Sequence, residues 1–140
     1  MAYQLNFTVR YKYNSAEVGI TIPVALKTGN LIAEVEAKLD TGAEHCIFQR
    51  EIADLLGLEL AAGIPLRMGS LAGTLPTFGH RVVIQAFDFS FESTVYFAAI
   101  YGLPRNLLGR RGFLEHLDFG LTLSSDTAYF NSIYPPEIVH

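Results

Sequence analysis

Alternation of apolar and polar residues dominates this chain, and a period of two is typical of strands that bury one face. The pattern is clearest over residues 31–39, which run directly into Asp40. Pro23 lacks a backbone N–H, so the strand that contains it is expected at an edge or a bulge. The pattern predicts strands over residues 5–13, 18–26, 31–39, 64–68, 74–86, 92–101, 119–123 and 128–130.

Helical spacing of apolar residues is confined to two short stretches. Residues 49–56 carry apolar side chains on one helix face, and Gly57 follows as a stop signal. A second short helix is predicted over residues 111–116. With many strands and one or two short helices, residues 1–140 are expected to form a single mostly β domain, a closed, barrel-like sheet.

The composition excludes several classes of protein. Hydrophobic residues make up 50% of the chain and charged residues 17%, which excludes a disordered chain. The net charge is −4 and the basic residues are scattered, so no nucleic-acid partner is expected.

The cellular location is suggested by the cysteine content and by the apolar runs. The single cysteine, Cys46, excludes an internal disulfide and fits a reducing compartment. The first residues lack the basic start and apolar run of a signal peptide. No stretch approaches the roughly 18–20 apolar residues of a membrane helix. We therefore expect a cytoplasmic protein without a membrane partner.

The candidate chemistry lies where the clearest strand ends, in the sequence Asp40-Thr41-Gly42-Ala43. Asp40 offers a carboxylate, and Thr41 offers a hydroxyl that could hydrogen-bond a facing loop. Gly42 has no Cβ, so two such loops could approach closely, and Ala43 keeps the surroundings small. An ordinary turn would also explain Asp and Gly here, because both residues favour turns.

Hydrolysis of a peptide bond without a metal needs one group that deprotonates water and another that protonates the carbonyl oxygen. Two carboxylates about 3 Å apart can do both, because they cannot both be ionised and so share one proton. The chain has one Asp-Thr-Gly sequence. A second copy of the chain, related by a two-fold axis, would have to supply the other carboxylate.

A second informative element is Leu107-Leu108-Gly109. Two leucines before a glycine place apolar bulk beneath a close backbone crossing, and a predicted short helix follows. A buried strand that ends at a glycine would explain these three residues alone. The order and spacing of the two elements together favour a shared site.

Together these residues resemble the retropepsin-like aspartic peptidases, the single-lobed, homodimeric relatives of pepsin. The resemblance covers roughly residues 31–123. It implies the acid-protease fold, a two-fold homodimer, and an endopeptidase that cuts extended polypeptide without a metal or cofactor.

The resemblance also implies a role for each residue of the two elements. Asp40 would be the catalytic aspartate, Thr41 would hold the active-site loop of the partner subunit, and Gly42 would present a carbonyl to the substrate. The other residues would support this loop: Ala43, Leu107, Leu108 and Gly109.

Members of this family close over substrate with a flap, a hairpin with glycine near its tip. The matching residues would bind substrate here: Met68, Gly69, Ser70, Leu71, Ala72, Gly73 and Thr74. Gly73 suits a turn position with positive φ. Leu71 and Ala72 would contact the substrate.

The resemblance further implies an ion pair between Glu44 and Arg110, which occupy places that often hold an acid and an arginine. Such a pair would stiffen the loop without adding much net stability. Arg111 stands where the family usually has Asp or Asn, so a helix-capping contact is expected to be lost.

Two other functions stay open: a catalytically inactive relative that binds peptides or acts as a scaffold, and a ligand-binding barrel in which Asp-Thr-Gly is a turn. A thiol enzyme is not favoured, because His45 and Cys46 are strand neighbours that point to opposite faces. Cys46 is expected to be a buried apolar side chain. No metal site is expected, since the remaining histidines, His80, His116 and His140, are isolated.

Overall fold

The computed structural model describes residues 1–71 and 73–135, and in this part of the chain strands predominate. The strands are β1 Val9–Lys12, β2 Thr21–Thr28, β3 Leu31–Leu39, β4 Ile47–Phe48, β5 Ile64–Ser70, β6 Gly73–Ala86, β7 Phe89–Ala98, β8 Asn106–Leu108, β9 Leu117–Thr122 and β10 Thr127–Ser132. Helix α1 spans Arg50–Leu55, and 3-10 helices span Leu60–Ala62, Leu114–His116 and Leu123–Ser125. None of the helices described has the length and apolar character that crossing a membrane requires.

The larger sheet closes into a barrel. Its strands follow the order β2–β3–β8–β4–β7–β6–β5, and β2 also pairs with β6 through Ala25, Leu26 and Lys27. Six strands therefore form the ring, while β5 lies outside it as the outer strand of the β5–β6 hairpin. Closing a sheet satisfies the backbone groups that an edge would expose. The predicted mostly β, barrel-like fold is confirmed.

Apolar side chains fill the barrel because successive residues of a strand point to opposite faces. Burial alternates along most of β7, so that Phe91, Val95 and Phe97 lie on its buried face. Ile84 of β6 and Leu108 of β8 have no exposed surface. Burying each side chain of this size contributes about 1.5–3 kcal/mol, which makes this core the main source of stability.

A smaller sheet, β1–β10–β9, packs against the barrel. Phe130 of β10 is fully buried, and its ring stacks on Phe87 with 5.2 Å between the ring centroids. Phe87 lies between β6 and β7 and has a φ of 52°, which is uncommon for a large side chain. This aromatic stack joins β10 to the barrel.

Two local predictions are confirmed. Pro23 pairs with Glu36 of β3, whereas the pairing of β2 with β6 involves only Ala25 to Lys27, so Pro23 lies at an open edge of β2. Helix α1 lies within the predicted helix, and Gly57 beyond its end adopts a φ of 66°.

Some boundaries differ from the prediction. The first strand begins at Val9 rather than residue 5, and the ring of Phe7 packs instead on Tyr129, with 5.7 Å between centroids. Strand β7 spans Phe89–Ala98 rather than residues 92–101, and the Arg50 guanidinium donates a 2.7 Å hydrogen bond to the Ala99 carbonyl just beyond its end.

The shortest elements were the hardest to predict. Strand β4 was not predicted, and a strand at β8 was considered only as the alternative explanation of Leu107-Leu108-Gly109, since two or three residues are too few to show alternation. The predicted second helix is reduced to a 3-10 turn, Leu114–His116. Gly112, with a φ of 99°, precedes that turn and cannot belong to a right-handed helix.

Candidate active site

Asp40 follows β3 directly and is held from both sides by backbone groups. Its N–H donates a 3.0 Å hydrogen bond to the Leu108 carbonyl, and its own carbonyl accepts a 3.2 Å bond from the Ala43 N–H. Its Oδ1 accepts a 2.9 Å hydrogen bond from the Gly42 N–H. The carboxylate is therefore fixed to its own loop, with its backbone anchored on the neighbouring strand.

The rest of the loop faces outward. Asp40 is partly buried, whereas Thr41 and Gly42 are exposed. Both residues are therefore accessible to a second loop. The Thr41 hydroxyl could hydrogen-bond that loop, and Gly42, which has no Cβ, would let it approach closely.

Strand β8 supports this loop from below. Leu107 pairs with Lys38 and Leu108 with Leu39, in a parallel register with β3. Leu108 has no exposed surface and belongs to the hydrophobic core. The structure thus brings Leu107 and Leu108 next to the strand that carries Asp40, as the sequence predicts.

Gly109 is where the two backbones cross. A Cβ on Gly109 would lie 2.6 Å from the carbonyl carbon of His45 and 2.8 Å from the Ala43 oxygen. Beyond the glycine, the Arg110 N–H donates a 2.9 Å hydrogen bond to the Ala43 carbonyl. No side chain fits at position 109, which explains the glycine in the Leu-Leu-Gly sequence.

Glu44 forms an ion pair with a different arginine from the one predicted. Its Oε1 lies 3.3 Å from Nε of Arg111, and both side chains are more than half exposed. The pair forms because Arg111 lies directly beside this loop: its N–H donates a 2.7 Å hydrogen bond to the Glu44 carbonyl, and it forms a parallel bridge with His45. The prediction of Arg110 was therefore wrong by one residue.

Cys46 is a buried apolar side chain, as predicted. It has no exposed surface, and its Sγ donates a 3.6 Å hydrogen bond to the Arg111 carbonyl. Burial raises the pKa of the Cys46 thiol to about 12. The nucleophilic thiolate is therefore scarce at neutral pH, which argues against thiol chemistry at this position.

The predicted flap residues belong to the β5–β6 hairpin. Its register pairs Met68 with Leu75, Gly69 with Thr74 and Ser70 with Gly73. Gly73 has a φ of 129°, a conformation that residues with a side chain rarely adopt. The turn thus lies between Ser70 and Gly73, close to the predicted tip.

Leu71 is fully exposed in this turn, at 111% of its reference area. Ala72 lies outside the described residues. Nearer the barrel, the Thr77 hydroxyl donates a 2.6 Å hydrogen bond to the Leu66 carbonyl, and Thr77 is buried. The hairpin is therefore anchored at its base and exposes an apolar side chain at its tip.

Two residues beside the site had no predicted role. Asn106, at the start of β8, is buried, and its side-chain Oδ1 accepts a 2.9 Å hydrogen bond from the Gln49 N–H. A polar residue before an apolar pair is the signal that could have identified Asn106.

In the described ranges, no three His, Cys, Asp or Glu side chains are grouped so that they could hold a metal ion.

Comparison with known proteins agrees with this geometry. A sequence profile of the family described as Aspartyl protease matches residues 22–110. No curated protein sequence matches the chain.

Solved structures share the fold. The EIAV protease in complex with the inhibitor HBY-793 is 22% identical with a TM-score of 0.53, and the alignment covers 69% of this chain and 86% of that one. A retropepsin-like aspartic protease from Rickettsia conorii is 16% identical with a TM-score of 0.62, and the alignment covers 86% of this chain and 96% of that one. At these identities the two structures establish the fold and not the activity.

The family profile spans more than half of the chain and includes both the Asp40 loop and the Leu-Leu-Gly element. The chain therefore belongs to the aspartyl protease family, and its fold is retropepsin-like.

Proposed function

We propose that this chain is an aspartic endopeptidase that acts as a homodimer of single-domain subunits. The observation that carries the proposal is the Asp40 loop, which is anchored through Leu108 and crossed by Gly109 while Thr41 and Gly42 remain exposed. One chain contributes one such loop, so Asp40 of the partner subunit would complete the site across a two-fold axis.

The reaction follows from two carboxylates that share a proton. The ionised Asp40 accepts a proton from a water placed between the two subunits, and the protonated one donates to the carbonyl oxygen of the substrate. Thr41 holds the opposite loop, and the Gly42 carbonyl accepts a hydrogen bond from the substrate backbone. No metal or cofactor takes part.

The substrate is an extended polypeptide. It binds as an added strand, with main-chain hydrogen bonds giving affinity and side-chain pockets giving specificity. The β5–β6 hairpin closes over it, and Leu71, which is exposed in the free chain, then contacts apolar residues near the cleaved bond. The unpaired and buried Cys46 is consistent with action in the cytoplasm.

Peptide cleavage by wild type and Asp40→Asn tests the proposal, with Asp88→Asn as the matched control because Asp88 is exposed between β6 and β7. We expect Asp40→Asn to abolish cleavage and Asp88→Asn to leave it unchanged. Full activity of Asp40→Asn would refute the mechanism. Inactive wild type that still dimerises would instead favour a peptide-binding or scaffolding domain.

Mixed dimers test the two-carboxylate site directly. When wild type and Asp40→Asn chains exchange at equal concentration, about half of the wild-type chains acquire an inactive partner. Activity per wild-type chain should therefore fall to about half, whereas Asp88→Asn should cause no such loss. A chain that stays monomeric at high concentration in sedimentation, with undiminished cleavage, would exclude the dimeric site.

A further inference from the structure

The segment between β7 and β8 is exposed and yet fastened to helix α1. Ile100 and Tyr101 expose more than half of their surface. The Tyr101 hydroxyl nevertheless donates a 2.7 Å hydrogen bond to Asp54 Oδ2. The Gly102 N–H donates a 2.9 Å hydrogen bond to Glu51 Oε1. Side chains of α1 thus hold a segment that has little packing of its own.

Gln49, directly before α1, extends this connection towards the active site. Its side-chain Nε2 donates a 2.7 Å hydrogen bond to the Leu103 carbonyl. Its backbone N–H donates a 2.9 Å hydrogen bond to Asn106 Oδ1. One residue therefore links the helix, the exposed segment and the first residue of β8.

The carboxamide of Asn106 completes the bridge. Its Nδ2 donates a 3.1 Å hydrogen bond to the Glu36 carbonyl in β3, four positions before Asp40. Asn106 is 5% exposed, so both of its hydrogen bonds are shielded from water. A buried amide with donor and acceptor both engaged fixes its surroundings, because losing either partner leaves a buried group unsatisfied.

Strand β8 depends on this bridge because it has few backbone partners. It pairs with β3 at three positions and with β4 only through Ile47 and Leu107. The same strand carries Leu108, whose carbonyl accepts a hydrogen bond from the Asp40 N–H. A shift at the start of β8 would therefore move the support of the catalytic loop.

We propose that Asn106, held by Gln49, is a positioning residue. It fixes the position of β8 beneath Asp40 and so aligns the Asp40 carboxylate with that of the partner subunit. The inference rests on the proposed peptidase function. Asn106 touches neither substrate nor water in this scheme and acts only through β8.

Asn106→Leu tests the inference, since leucine is similar in size and removes both hydrogen bonds. We expect kcat to fall about 100-fold, the loss that a displacement of about 1 Å causes in a catalytic site. KM should change by less than about three-fold, because β8 aligns the reacting group and not the peptide. Gln49→Met removes the link to Leu103 and keeps the backbone donor to Asn106, so a smaller fall of about ten-fold is expected.

Thr127→Val is the matched control. Thr127, in β10 of the smaller sheet, is also buried, and its hydroxyl donates a hydrogen bond to the Ser125 carbonyl. This control should lower Tm without changing kcat per folded dimer. Equal kcat in Asn106→Leu and wild type would overturn the inference; if that variant does not fold, unchanged kcat in Gln49→Met would do so. Wild type without cleavage would contradict the proposed function itself.

Discussion

The backbone crossing beneath the Asp40 loop and the β5–β6 hairpin each contain a glycine, but in opposite surroundings. Gly109 is crossed by the backbone of residues 43–45, so that an added Cβ would contact Ala43 and His45 within 3 Å. Gly69 of the hairpin has no heavy atom within 4 Å of an added Cβ. The first glycine is required by packing, and the second is not.

The difference reflects two mechanical demands on the proposed enzyme. A reacting carboxylate must be held in a fixed position, and here it rests on buried Leu108 and on backbone hydrogen bonds. A lid must open and close, and elements that move have few buried contacts. Leu71, exposed at the hairpin tip, meets that condition. Paired substitutions in the two regions test whether one is rigid and the other mobile.

The largest difference is expected between Gly109→Ala and Gly69→Ala. The new Cβ at position 109 would meet backbone atoms that cannot rotate away, so we expect a loss of about 4 kcal/mol or more in the free energy of unfolding. The same methyl group at position 69 meets open space, and the change should stay within about 0.5 kcal/mol.

Urea denaturation at one fixed protein concentration measures both variants, because the stability of the proposed dimer would depend on concentration. Peptide cleavage should be lost in Gly109→Ala and retained in Gly69→Ala. Similar unfolding free energies for the two variants would show that the crossing at Gly109 can relax and that the active-site loop is not rigid.

A second pair compares leucines in the same two regions. Leu108→Ala removes a fully buried side chain beneath Asp40 and should cost about 3 kcal/mol. Leu71→Ala removes a fully exposed side chain and should change the unfolding free energy by less than about 0.5 kcal/mol.

Cleavage kinetics separates the roles of these two leucines. If Leu71 contacts bound peptide, Leu71→Ala raises KM by roughly ten-fold, as the loss of one apolar contact of about 1.4 kcal/mol would. An unchanged KM would show that Leu71 does not contact the bound peptide. A stability loss equal to that of Leu108→Ala would mean that the hairpin tip is packed in solution.

The sequence predicted the parts of this comparison that depend on local pattern. The alternation in β3 located Asp40 at a strand end, and a glycine among turn residues located the hairpin tip near Gly73. The substrate contacts of the flap stay predictions. Helix α1 was likewise visible because its apolar spacing and Gly57 stop signal are neighbours in the chain.

Long-range contacts could not be predicted in the same way. Arg110 and Arg111 are adjacent, and only the register of the crossing decides which of them reaches Glu44. The bond between Gln49 and Asn106 joins residues 57 positions apart, and neither residue type indicates such a partner. Strand β8 is too short to reveal its neighbours by alternation.

A third prediction concerns the pH dependence of stability that a partly buried histidine outside the Asp40 loop produces. His116 packs on Phe91, accepts or donates a hydrogen bond at the Tyr134 hydroxyl, and has a side chain that is 16% exposed. Burial lowers the pKa of His116 below its ordinary value of 6.5; Arg81 also lowers it, and Glu115 opposes the shift. The unfolded chain therefore binds this proton at a higher pH than the folded chain does.

It follows that the contribution of His116 to stability is complete above about pH 6.5 and is lost as the pH falls through the folded pKa. Between pH 7 and pH 5 the Tm of wild type should fall more than that of His116→Phe. Tyr134→Phe, which keeps the imidazole, should retain the wild-type slope. Parallel Tm curves for wild type and His116→Phe would contradict the assignment of this pH dependence to His116.

The smallest effect is expected from the ion pair beside the active-site loop. Glu44 and Arg111 are exposed, so water screens their attraction, and pairs of this kind contribute about 0–1 kcal/mol. Arg81→Gln is a matched control, because Arg81 forms a similarly exposed pair with Glu92 at 3.4 Å. Both Arg111→Gln and Arg81→Gln should change the unfolding free energy by less than about 0.5 kcal/mol, and by even less in 1 M salt.

Arg111→Gln keeps the backbone N–H that donates to the Glu44 carbonyl, so it removes the charge and leaves the crossing intact. If the loop owes its position to Gly109, Leu108 and backbone hydrogen bonds, kcat should stay within about two-fold of wild type. A fall of more than about ten-fold in Arg111→Gln, with none in Arg81→Gln, would mean that a surface charge fixes the catalytic loop. The rigidity of the Asp40 loop would then depend on exposed side chains rather than on the backbone crossing at Gly109.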